Sequence, residues 1–427
     1  MGHIKILTEH LDREDQHDID AYESRAGYAA VRKALAMSSE EIIAEVKASG
    51  LRGRGGAGFP TGIKWGFVPK NTGKPVYLLN NADESEPGTF KDRALLERNP
   101  HMCIEGMMIA AKALSCHWAC IYIRGEYAYP AERVSKAIKQ AYAKGYLGKK
   151  IFGSDFDLDI VVHRGAGAYI CGEETGLIES LEGKKGQPRL KPPFPAVVGA
   201  YGCPTVVNNT ETLATLPWII ANGASSYAKI GTDKSAGTKL FSASGHINKP
   251  GVYEIELGYP LLEFIEKECG GVRNGRKLKA VIPGGSSVPV LRADELDGVM
   301  LDYESLVKAG TMLGSGGLIV MDDSTDMVEA VMNLLHFYTH ESCGQCTPCR
   351  EGVRWVYKTI GRINHCNGTF GDIRLLKDLC KNISGHTICP FGDALVTPAL
   401  SFLNKFRSEF EAKIEAATSM HVGSSHG

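Results

Sequence analysis

GLRGRGGAGFPTGIKW, residues 50–65, combines closely spaced glycines with three basic side chains. Within it, Gly53, Gly55 and Gly58 have the G-x-G-x-x-G spacing of dinucleotide-binding loops. An ordinary Rossmann fingerprint needs a strand before this spacing and a helix that starts on it. Here a helical pattern comes before the glycines, and Pro60 prevents a helix from following at once. The stretch therefore predicts a nucleotide cradle of another kind, with a flexible turn as the alternative.

The helix before the glycines has clear end signals. Ser38 and Glu41 have the S-x-x-E spacing of a capping box, and Ile42 and Val46 place apolar side chains on one face. Gly50 would end this helix. The sequence therefore predicts a helix that leads directly into the glycine-rich stretch.

Downstream of residue 65, strand and helix patterns alternate. Residues 76–79, 119–123 and 158–162 are short apolar runs with β-branched content. Helical patterns lie between them at residues 103–114 and 131–142. This alternation predicts an α/β sheet, whose ligands lie at the carboxyl ends of its strands.

Two further regions differ from this pattern. Residues 239–285 contain three strand-like runs and one short helix, residues 261–269, which predicts a small α+β insert. From Asp326 onward, apolar residues recur at helical spacing. We expect about four amphipathic helices, a bundle. Their predicted stripes are Val328, Val331, Leu335 and Tyr338; Val353, Val356 and Ile360; Leu375, Leu379 and Ile383; and Phe402, Phe406 and Phe410. The predicted domains are residues 1–235, 236–325 and 326–427.

Composition excludes several classes of protein. The chain has 427 residues, of which 43% are hydrophobic and 23% charged, as in an ordinary soluble protein. Its net charge of −1 disfavours nucleic-acid binding. The amino-terminal sequence lacks the apolar run of a signal peptide, and no run is long enough to cross a membrane. We therefore expect a cytoplasmic protein that reaches a membrane only through partners.

The strongest single signal is ESCGQCTPCREG, residues 341–352. Cys343, Cys346 and Cys349 have the C-x-x-C-x-x-C spacing with which one loop surrounds three corners of a [4Fe–4S] cluster. A zinc site more often pairs two separate C-x-x-C knuckles. The run therefore predicts a four-iron cluster, with structural zinc or buried thiols as the alternatives.

A four-iron cluster needs a fourth thiolate, and three downstream cysteines are candidates. Cys380 falls on the apolar face of a predicted helix, where a packed thiol is the usual role. Cys366 lies in a polar stretch without a supporting pattern. Cys389 is followed directly by a proline, as is the last ligand in ferredoxin-type sequences. We predict Cys389.

Polar side chains cluster in three segments near the ends of the predicted strands. Carboxylates and amides suit ribose and ribityl hydroxyls, and glycines expose backbone N–H groups to phosphate. A solvated surface is the alternative for the acidic residues alone. The side chains are Asn81, Asp83, Glu84 and Glu86; Glu173 and Glu174; and Asn208, Asn209 and Thr212.

Together, RGRGGAGFPTGIKW, NADESEPGTFKDR, GAGAYICGEETGLIESLEG, PTVVNN and ESCGQCTPCREG closely resemble the NADH-binding flavoprotein subunit, known as the F subunit, of bacterial respiratory complex I. The resemblance covers residues 27–410. It implies FMN, NADH and one [4Fe–4S] cluster as cofactors and substrate. It also implies a Rossmann-like flavin domain, a ubiquitin-like β-grasp insert and a carboxyl-terminal four-helix bundle.

The resemblance also assigns site residues by position in the motifs. The flavin is expected to contact Gly53, Arg54, Gly55, Gly56, Gly58, Lys64, Asn81, Asp83, Glu84, Gly172, Glu173, Asn208, Asn209 and Thr212. NADH is expected to contact Phe59, Phe67, Glu86, Tyr169, Glu174, Lys191 and Phe194. The cluster ligands match Cys343, Cys346, Cys349 and Cys389.

The activity that the resemblance implies is hydride transfer from NADH to FMN, then single-electron transfer to the cluster and onward to quinone. Glu86 and Glu174 are expected to favour NADH over NADPH because their charge disfavours a 2′-phosphate. The expected partners are a thioredoxin-like [2Fe–2S] subunit and the large iron–sulfur subunit, in the peripheral arm of the complex. The alternatives are a diaphorase subunit of an NAD-linked hydrogenase or formate dehydrogenase, and a non-catalytic iron–sulfur protein.

Overall fold

The computed structural model describes residues 4–424, so residues 1–3 and 425–427 of the predicted outer domains lie outside the described range. The N-terminal region, residues 4–236, contains ten α-helices and six strands among the described residues. Its helices are α1 Ile19–Glu23, α2 Ala29–Leu35, α3 Ser39–Ala48, α4 Thr61–Gly66, α5 Lys91–Arg98, α6 Pro100–Leu114, α7 Ala128–Ala143, α8 Glu174–Leu181, α9 Thr210–Asn222 and α10 Ala224–Ala228. Its strands are β1 Tyr77–Ala82, β2 Trp118–Ile123, β3 Asp159–Arg164, β4 Thr205–Asn209, β5 Gly231–Thr232 and β6 Ser235–Ala236.

Four strands of this region form a parallel sheet in the order β3-β2-β1-β4. The predicted strand runs are therefore confirmed. Helix α6 is buried almost along its whole length, because its many apolar side chains pack between the sheet and neighbouring helices. The carboxyl ends of β1 and β4 lie side by side, which brings Asn81 next to Asn209.

The helix before the glycines is confirmed with both of its end signals. The Ser38 hydroxyl accepts a hydrogen bond from the Glu41 amide at 3.2 Å, and the Glu41 carboxylate accepts one from the Ser38 amide at 2.7 Å. Helix α3 ends at Ala48, and Gly50 follows with a φ of +71°, a conformation that costs glycine little. A helix, not a strand, therefore leads into the glycine-rich stretch.

The middle region, residues 238–322, is built on one mixed sheet in the order β10-β9-β11-β7-β8. Strands β11 and β7 are parallel, and the other neighbours are antiparallel. Residues 264–268 form a π-helical turn directly after α11. The central strand β11 was not predicted. The elements are β7 Thr238–Gly245, β8 Gly251–Glu256, α11 Leu261–Glu263, β9 Leu278–Ile282, β10 Leu291–Arg292, α12 Tyr303–Lys308 and β11 Gly317–Asp322.

The helical region, residues 327–424, has five helices rather than about four. They are α13 Met327–Glu341, α14 Thr347–Asn364, α15 Phe370–Ile383, α16 Phe391–Lys405 and α17 Arg407–Ser424. The stripe Phe402, Phe406 and Phe410 is buried, but it crosses the break between α16 and α17. A continuous apolar spacing therefore concealed a helix end.

One predicted stripe of this region is wrong by its register. Leu375 is 41% exposed, whereas Leu376 and Cys380 on the neighbouring stripe are buried. Both stripes end at Ile383, which is buried, and the apolar spacing of the sequence allows either one. The prediction that Cys380 is a packed thiol is confirmed.

One hydrophobic core joins all three regions. Tyr122 of β2, Ile282 of β9 and Tyr338 of α13 belong to the same buried cluster. The three regions therefore pack against one another through apolar side chains. Among the described residues, no helix combines the length and the apolar character that crossing a bilayer requires.

Candidate functional site

A cavity of about 900 Å³ lies where the three regions meet, at the carboxyl ends of the parallel strands. The glycine-rich stretch and the segment after β1 form part of its wall. The middle region contributes residues 312–315, and the helical region contributes Phe391 and its neighbours. Among the predicted site residues, those that line the cavity are Gly55, Gly56, Asn81, Asp83, Glu84, Glu86, Tyr169, Gly172, Glu173 and Asn209.

Two glycines allow the glycine-rich stretch to pack closely against α9 on one side and against α12 of the middle region on the other. Gly58 has a φ of +63°, and a Cβ there would lie 2.4 Å from the ring of Tyr303. A Cβ on Gly55 would lie 3.1 Å from Cβ of Asn209, at the start of α9. The stretch therefore passes close to the amino end of α9, where backbone N–H groups favour anions.

Arg54 does not face the cavity. Its side chain is fully buried, and its guanidinium donates hydrogen bonds to Tyr227, to the carbonyl of Ala236 and to the carbonyl of Thr238 at 2.8–3.0 Å. The Arg54 amide donates to the Thr212 hydroxyl at 2.8 Å. Arg54 and Thr212 thus hold the glycine-rich stretch in place from behind, and the Arg54 side chain joins the N-terminal region to the middle region.

The acidic residues after β1 differ from one another in their bonding. Glu84 is buried and accepts hydrogen bonds from the Asp92 amide, the Arg93 amide and the Tyr127 hydroxyl. Asp83 is also buried, and its Oδ2 has no hydrogen-bond partner within residues 4–424. Burial raises the pKa of each carboxyl to about 7. Because a buried polar atom without a partner is costly, Oδ2 of Asp83 fits a polar ligand in the cavity.

Glu86 is bound from two sides. Its Oε2 accepts a hydrogen bond from the Tyr169 hydroxyl at 2.5 Å. Its Oε1 accepts one from the Ser287 amide at 2.8 Å and one from the Ser286 hydroxyl at 3.2 Å. The two serines were not predicted, although the consecutive glycines before them, Gly284 and Gly285, were a visible turn signal.

A second charged group lies beside the cavity. Nζ of Lys64 is 2.9 Å from Glu174, and Nζ of Lys191 lies 2.8 Å from Glu173 and 3.0 Å from Glu174. Burial alone would raise the pKa of Glu174, but the two lysines lower it below its usual value. Glu174 is therefore ionised and neutralised by two cations, which reduces the repulsion expected of it toward a phosphate. Asn81 contributes on the other side, since its Nδ2 donates to the Gly172 carbonyl at 2.8 Å.

The three phenylalanines that are predicted to contact NADH lie on the surface, outside the cavity wall. Phe59, Phe67 and Phe194 are 47%, 55% and 58% exposed. The rings of Phe59 and Phe67 are 6.0 Å apart at a tilted angle, which is a favourable aromatic contact. These exposed rings are available to a planar ligand, unlike core phenylalanines.

The asparagines after β4 have separate roles. Asn208 is buried, and its Oδ1 accepts a hydrogen bond from the Trp65 indole at 2.9 Å. Asn209 caps helix α9 through the Glu211 amide at 3.0 Å and also donates to Asp92 at 2.6 Å. Only Asn209 of the two lines the cavity.

A buried ionic network that begins at the cavity wall, with Lys91 and Asp92, was also missed. Lys91 lies 2.8 Å from Asp92 and 2.7 Å from Glu211, and Lys239 of the middle region lies 3.4 Å from Glu211. All four side chains are at most 3% exposed. Burial lowers the pKa of Lys239 to about 7, although Glu211 opposes the shift. Single charged residues in a sequence do not signal such a network, because its members are distant along the chain.

The four predicted cluster cysteines lie in two segments, which we call the cysteine loops. The first runs from the end of α13 into the first turn of α14, and the second precedes α16. Cys343 follows α13, Cys346 immediately precedes α14 and Cys349 lies in its first turn. Burial raises the pKa of Cys389 to about 12, with smaller contributions from Cys343, Glu173 and Cys349. Pro390 and Phe391, which directly follow Cys389, line the cavity.

The donor set of these loops suits an iron–sulfur cluster. Thiolate ligands are the type that such clusters use, and binding to metal replaces the proton that burial otherwise favours. Within residues 4–424, no three His, Cys, Asp or Glu side chains converge closely enough to hold a single metal ion. A four-iron cluster takes one thiolate per iron and therefore spaces its thiolates more widely than one tetrahedral ion does.

Comparison with protein-family models gives three matches. Residues 46–218 match the Nuo51 FMN-binding domain, residues 239–328 the SLBB domain, and residues 329–413 the NADH-ubiquinone oxidoreductase-F iron-sulfur binding region. The FMN-binding and iron–sulfur matches contain the cavity-lining residues of the N-terminal region and the cysteine loops, respectively.

Curated relatives and solved structures agree with these matches. The chain is 53% identical to an F subunit of NADH-quinone oxidoreductase from Rhizobium meliloti over 96% of this chain and 97% of that protein. It is 52% identical to the corresponding F subunit from Rickettsia felis over 97% of this chain and 98% of that protein. A solved NAD+-reducing [NiFe]-hydrogenase chain is 36% identical with a TM-score of 0.83, covering 96% of this chain and 67% of that one. By full-length identity to these relatives, this chain belongs to the family of NADH-quinone oxidoreductase F subunits.

Proposed function

We propose that this chain binds FMN in the cavity, oxidises NADH there and passes the electrons to a [4Fe–4S] cluster held by Cys343, Cys346, Cys349 and Cys389. The observation that carries the proposal is that the segment which carries Cys389 also lines the cavity. Pro390 and Phe391 line the cavity, and they directly follow Cys389 in the chain. A flavin in the cavity and a cluster in the loops would therefore be close neighbours, as electron transfer requires.

The cavity fits FMN by its polar groups. Oδ2 of Asp83 needs a partner, and the ribityl and ring of FMN carry suitable groups. Gly55 and Gly56 leave room for a phosphate beside the start of α9. When bound, FMN and the cluster supply two-electron oxidation of NADH and one-electron transfer onward.

The protein's own part in the reaction is to bind and orient. Glu86, fixed by three hydrogen bonds, presents a carboxylate that accepts ribose hydroxyls and disfavours a 2′-phosphate. Glu174 contributes less to this preference, because Lys64 and Lys191 neutralise it. The exposed Phe59, Phe67 and Phe194 bind the adenine end of NADH by stacking.

We also propose a fold type for each of the three domains. The sheet order β3-β2-β1-β4 supports a Rossmann-like domain over residues 1–235, and the mixed sheet supports a β-grasp domain over residues 236–325. Residues 326–427 are the proposed cluster-binding helical domain, and its described part, residues 327–424, contains five helices. The proposed partners are a thioredoxin-like [2Fe–2S] subunit and the large iron–sulfur subunit, in the cytoplasmic peripheral arm of a membrane-bound complex.

A second candidate is the diaphorase subunit of an NAD-linked hydrogenase. The match to an NAD+-reducing [NiFe]-hydrogenase chain favours it, because that chain shares the fold at 36% identity. The identity of over 50% to the F subunits of NADH-quinone oxidoreductase favours the respiratory complex.

Purification of the tagged chain from its own host tests the proposal. We expect NADH-dependent reduction of ferricyanide, one bound FMN per chain and the EPR signal of a reduced [4Fe–4S] cluster. Co-purification of a [2Fe–2S] subunit with membrane subunits would support the respiratory complex, and co-purification of a nickel subunit would support the alternative. A preparation without flavin and without NADH-dependent ferricyanide reduction would contradict both.

A further inference from the structure

The loop of residues 284–287, Gly-Gly-Ser-Ser, is shaped around a single side chain of another region. Gly285 has a φ of +94°, and a Cβ there would lie 2.6 Å from Cγ of Glu86. The Ser287 amide and the Ser286 hydroxyl both donate to Oε1 of Glu86. Because only glycine permits so close an approach, the Gly-Gly-Ser-Ser loop is fitted to Glu86.

The loop itself is held rigidly. The Gly285 amide donates to the Gly317 carbonyl at 2.7 Å, at the start of β11. The Ser286 amide donates to the Pro87 carbonyl at 3.2 Å, directly after Glu86. The loop is thus anchored both to the middle sheet and to the segment that carries Glu86.

Tyr338 of the helical region contacts Ser286. The Tyr338 hydroxyl lies 2.9 Å from the Ser286 hydroxyl, and both residues are fully buried. The Tyr338 ring makes edge contacts with Phe391, at 5.6 Å, and with Tyr169, at 6.1 Å. The Tyr169 hydroxyl binds the other carboxylate oxygen of Glu86. The N-terminal and middle regions therefore bind the Glu86 carboxylate directly, and Tyr338 of the helical region contacts the groups that donate to it.

We propose that Ser286, supported by Tyr338, is a positioning residue that fixes the Glu86 carboxylate for the nicotinamide dinucleotide. The inference rests on the proposed function, in which Glu86 contacts that ligand. A carboxylate on a free side chain rotates, and holding it in one orientation removes an entropic cost of binding. Through Ser286 and Tyr338, the middle and helical regions thereby set the affinity of a site whose contacting residue belongs to the N-terminal region.

The test is a double-mutant cycle in the assembled enzyme, with steady-state NADH:ferricyanide kinetics. We expect Ser286→Ala to raise the KM for NADH about 10- to 100-fold, the range of one hydrogen bond to a charged group, with kcat changed less than about twofold. Tyr338→Phe should raise the KM in the same direction by about two- to threefold. In a Glu86→Ala background, Ser286→Ala should add nothing, because it acts through Glu86.

Tyr122→Phe is the matched control. Tyr122 lies in the same core, and its hydroxyl lies 2.8 Å from the Ser180 hydroxyl, away from Glu86. It should leave the KM for NADH unchanged, and FMN and iron contents should equal those of the wild type in all variants. An unchanged KM in Glu86→Ala would overturn the proposed role of Glu86 itself. A raised KM in Glu86→Ala, together with an unchanged or fully additive KM effect of Ser286→Ala, would overturn only the positioning role of Ser286.

Discussion

The cavity and the cysteine loops differ in whether the protein itself stabilises the charged form of their polar groups. In the cavity, Glu86 accepts three hydrogen bonds and Lys91 pairs with two carboxylates within the protein. In the loops, burial raises the pKa of Cys349 to about 11 and of Cys389 to about 12, so the protein alone favours neutral thiols. Iron binds thiolates. Apart from Oδ2 of Asp83, the acidic groups of the cavity are therefore held by the chain, whereas we expect a metal centre to complete the cysteine loops.

The largest predicted effect lies at the cysteine loops. Cys389→Ala should abolish the four-iron cluster, because the cluster needs four ligands and Cys389 is the proposed fourth. FMN should remain bound, because Glu84 and Glu86 are held in the cavity by hydrogen bonds from other protein groups. Iron analysis and EPR of the NADH-reduced protein measure this. Cys380→Ala removes a buried thiol from the same region and is the control that should keep the cluster. Retention of four iron atoms in Cys389→Ala would refute the ligand assignment.

The second effect concerns the buried ionic network that begins at the cavity wall. Glu211→Gln should lower the free energy of unfolding by about 3–5 kcal/mol, because it leaves Lys91 and Lys239 with too little compensating charge in the interior. Urea unfolding followed by circular dichroism measures the change. Lys267→Gln breaks an exposed pair with Glu263 and should leave the unfolding midpoint unchanged. Equal unfolding midpoints for both variants would show that the buried ion pairs of Glu211 do not stabilise the fold.

The third effect is a pH dependence in protein stripped of FMN. Burial raises the pKa of Asp83 from 3.8 to about 7, so the folded chain binds a proton that the unfolded chain has released over that interval. Stability from this group is therefore present at the acidic end and falls as pH rises toward 7. Relative to wild type, Asp83→Asn should gain about 2–4 kcal/mol of unfolding free energy across this interval.

Urea unfolding at the two ends of the interval provides the measurement for Asp83. Asp155→Asn is the matched control, because Asp155 is exposed and should keep the wild-type pH dependence. If Asp83→Asn also kept the wild-type pH dependence, the orphaned Oδ2 of Asp83 would be solvated rather than held for a ligand.

The smallest predicted effect concerns the exposed phenylalanines outside the cavity wall, which neither the hydrogen bonds of the cavity nor a metal centre holds. Phe194→Ala should raise the KM for NADH about threefold to fivefold with kcat unchanged, because a stacking contact with adenine contributes to binding alone. Leu190→Ala alters a neighbouring side chain that is 70% exposed and should leave the KM unchanged. Steady-state kinetics of both variants decide whether the exposed phenylalanine has a ligand.

The same contrast explains how far sequence alone could reach. The C-x-x-C-x-x-C run and the capping box at Ser38 depend on residues a few positions apart, so their spacing is visible in the sequence. The Gly-Gly-Ser-Ser loop around Glu86 and the Lys239–Glu211 pair join residues about 200 and 28 positions apart, which no local pattern encodes. The predicted flavin role of Arg54 followed from its place in the motif, but only the fold places its side chain in the interface behind the glycines.

Two predictions about the helical region were wrong, each for a specific reason. The Leu375 stripe was wrong because two neighbouring apolar stripes of α15 both satisfy helical spacing, and packing chose the one through Leu376 and Cys380. The break between α16 and α17 was hidden because Phe402, Phe406 and Phe410 stay buried across it. Periodicity reports which side chains are apolar, and tertiary contacts decide which of them are covered.

The most direct test of the account is an anaerobic titration of the purified holoprotein with NADH, followed by absorption and EPR spectroscopy. We predict bleaching of the flavin absorbance followed by the EPR signal of a reduced [4Fe–4S] cluster, with a much weaker response to NADPH at equal concentration. Flavin absorbance that NADH leaves unchanged, or bleaching without reduction of any cluster, would contradict the claim that the cavity and the cysteine loops form one electron-transfer site.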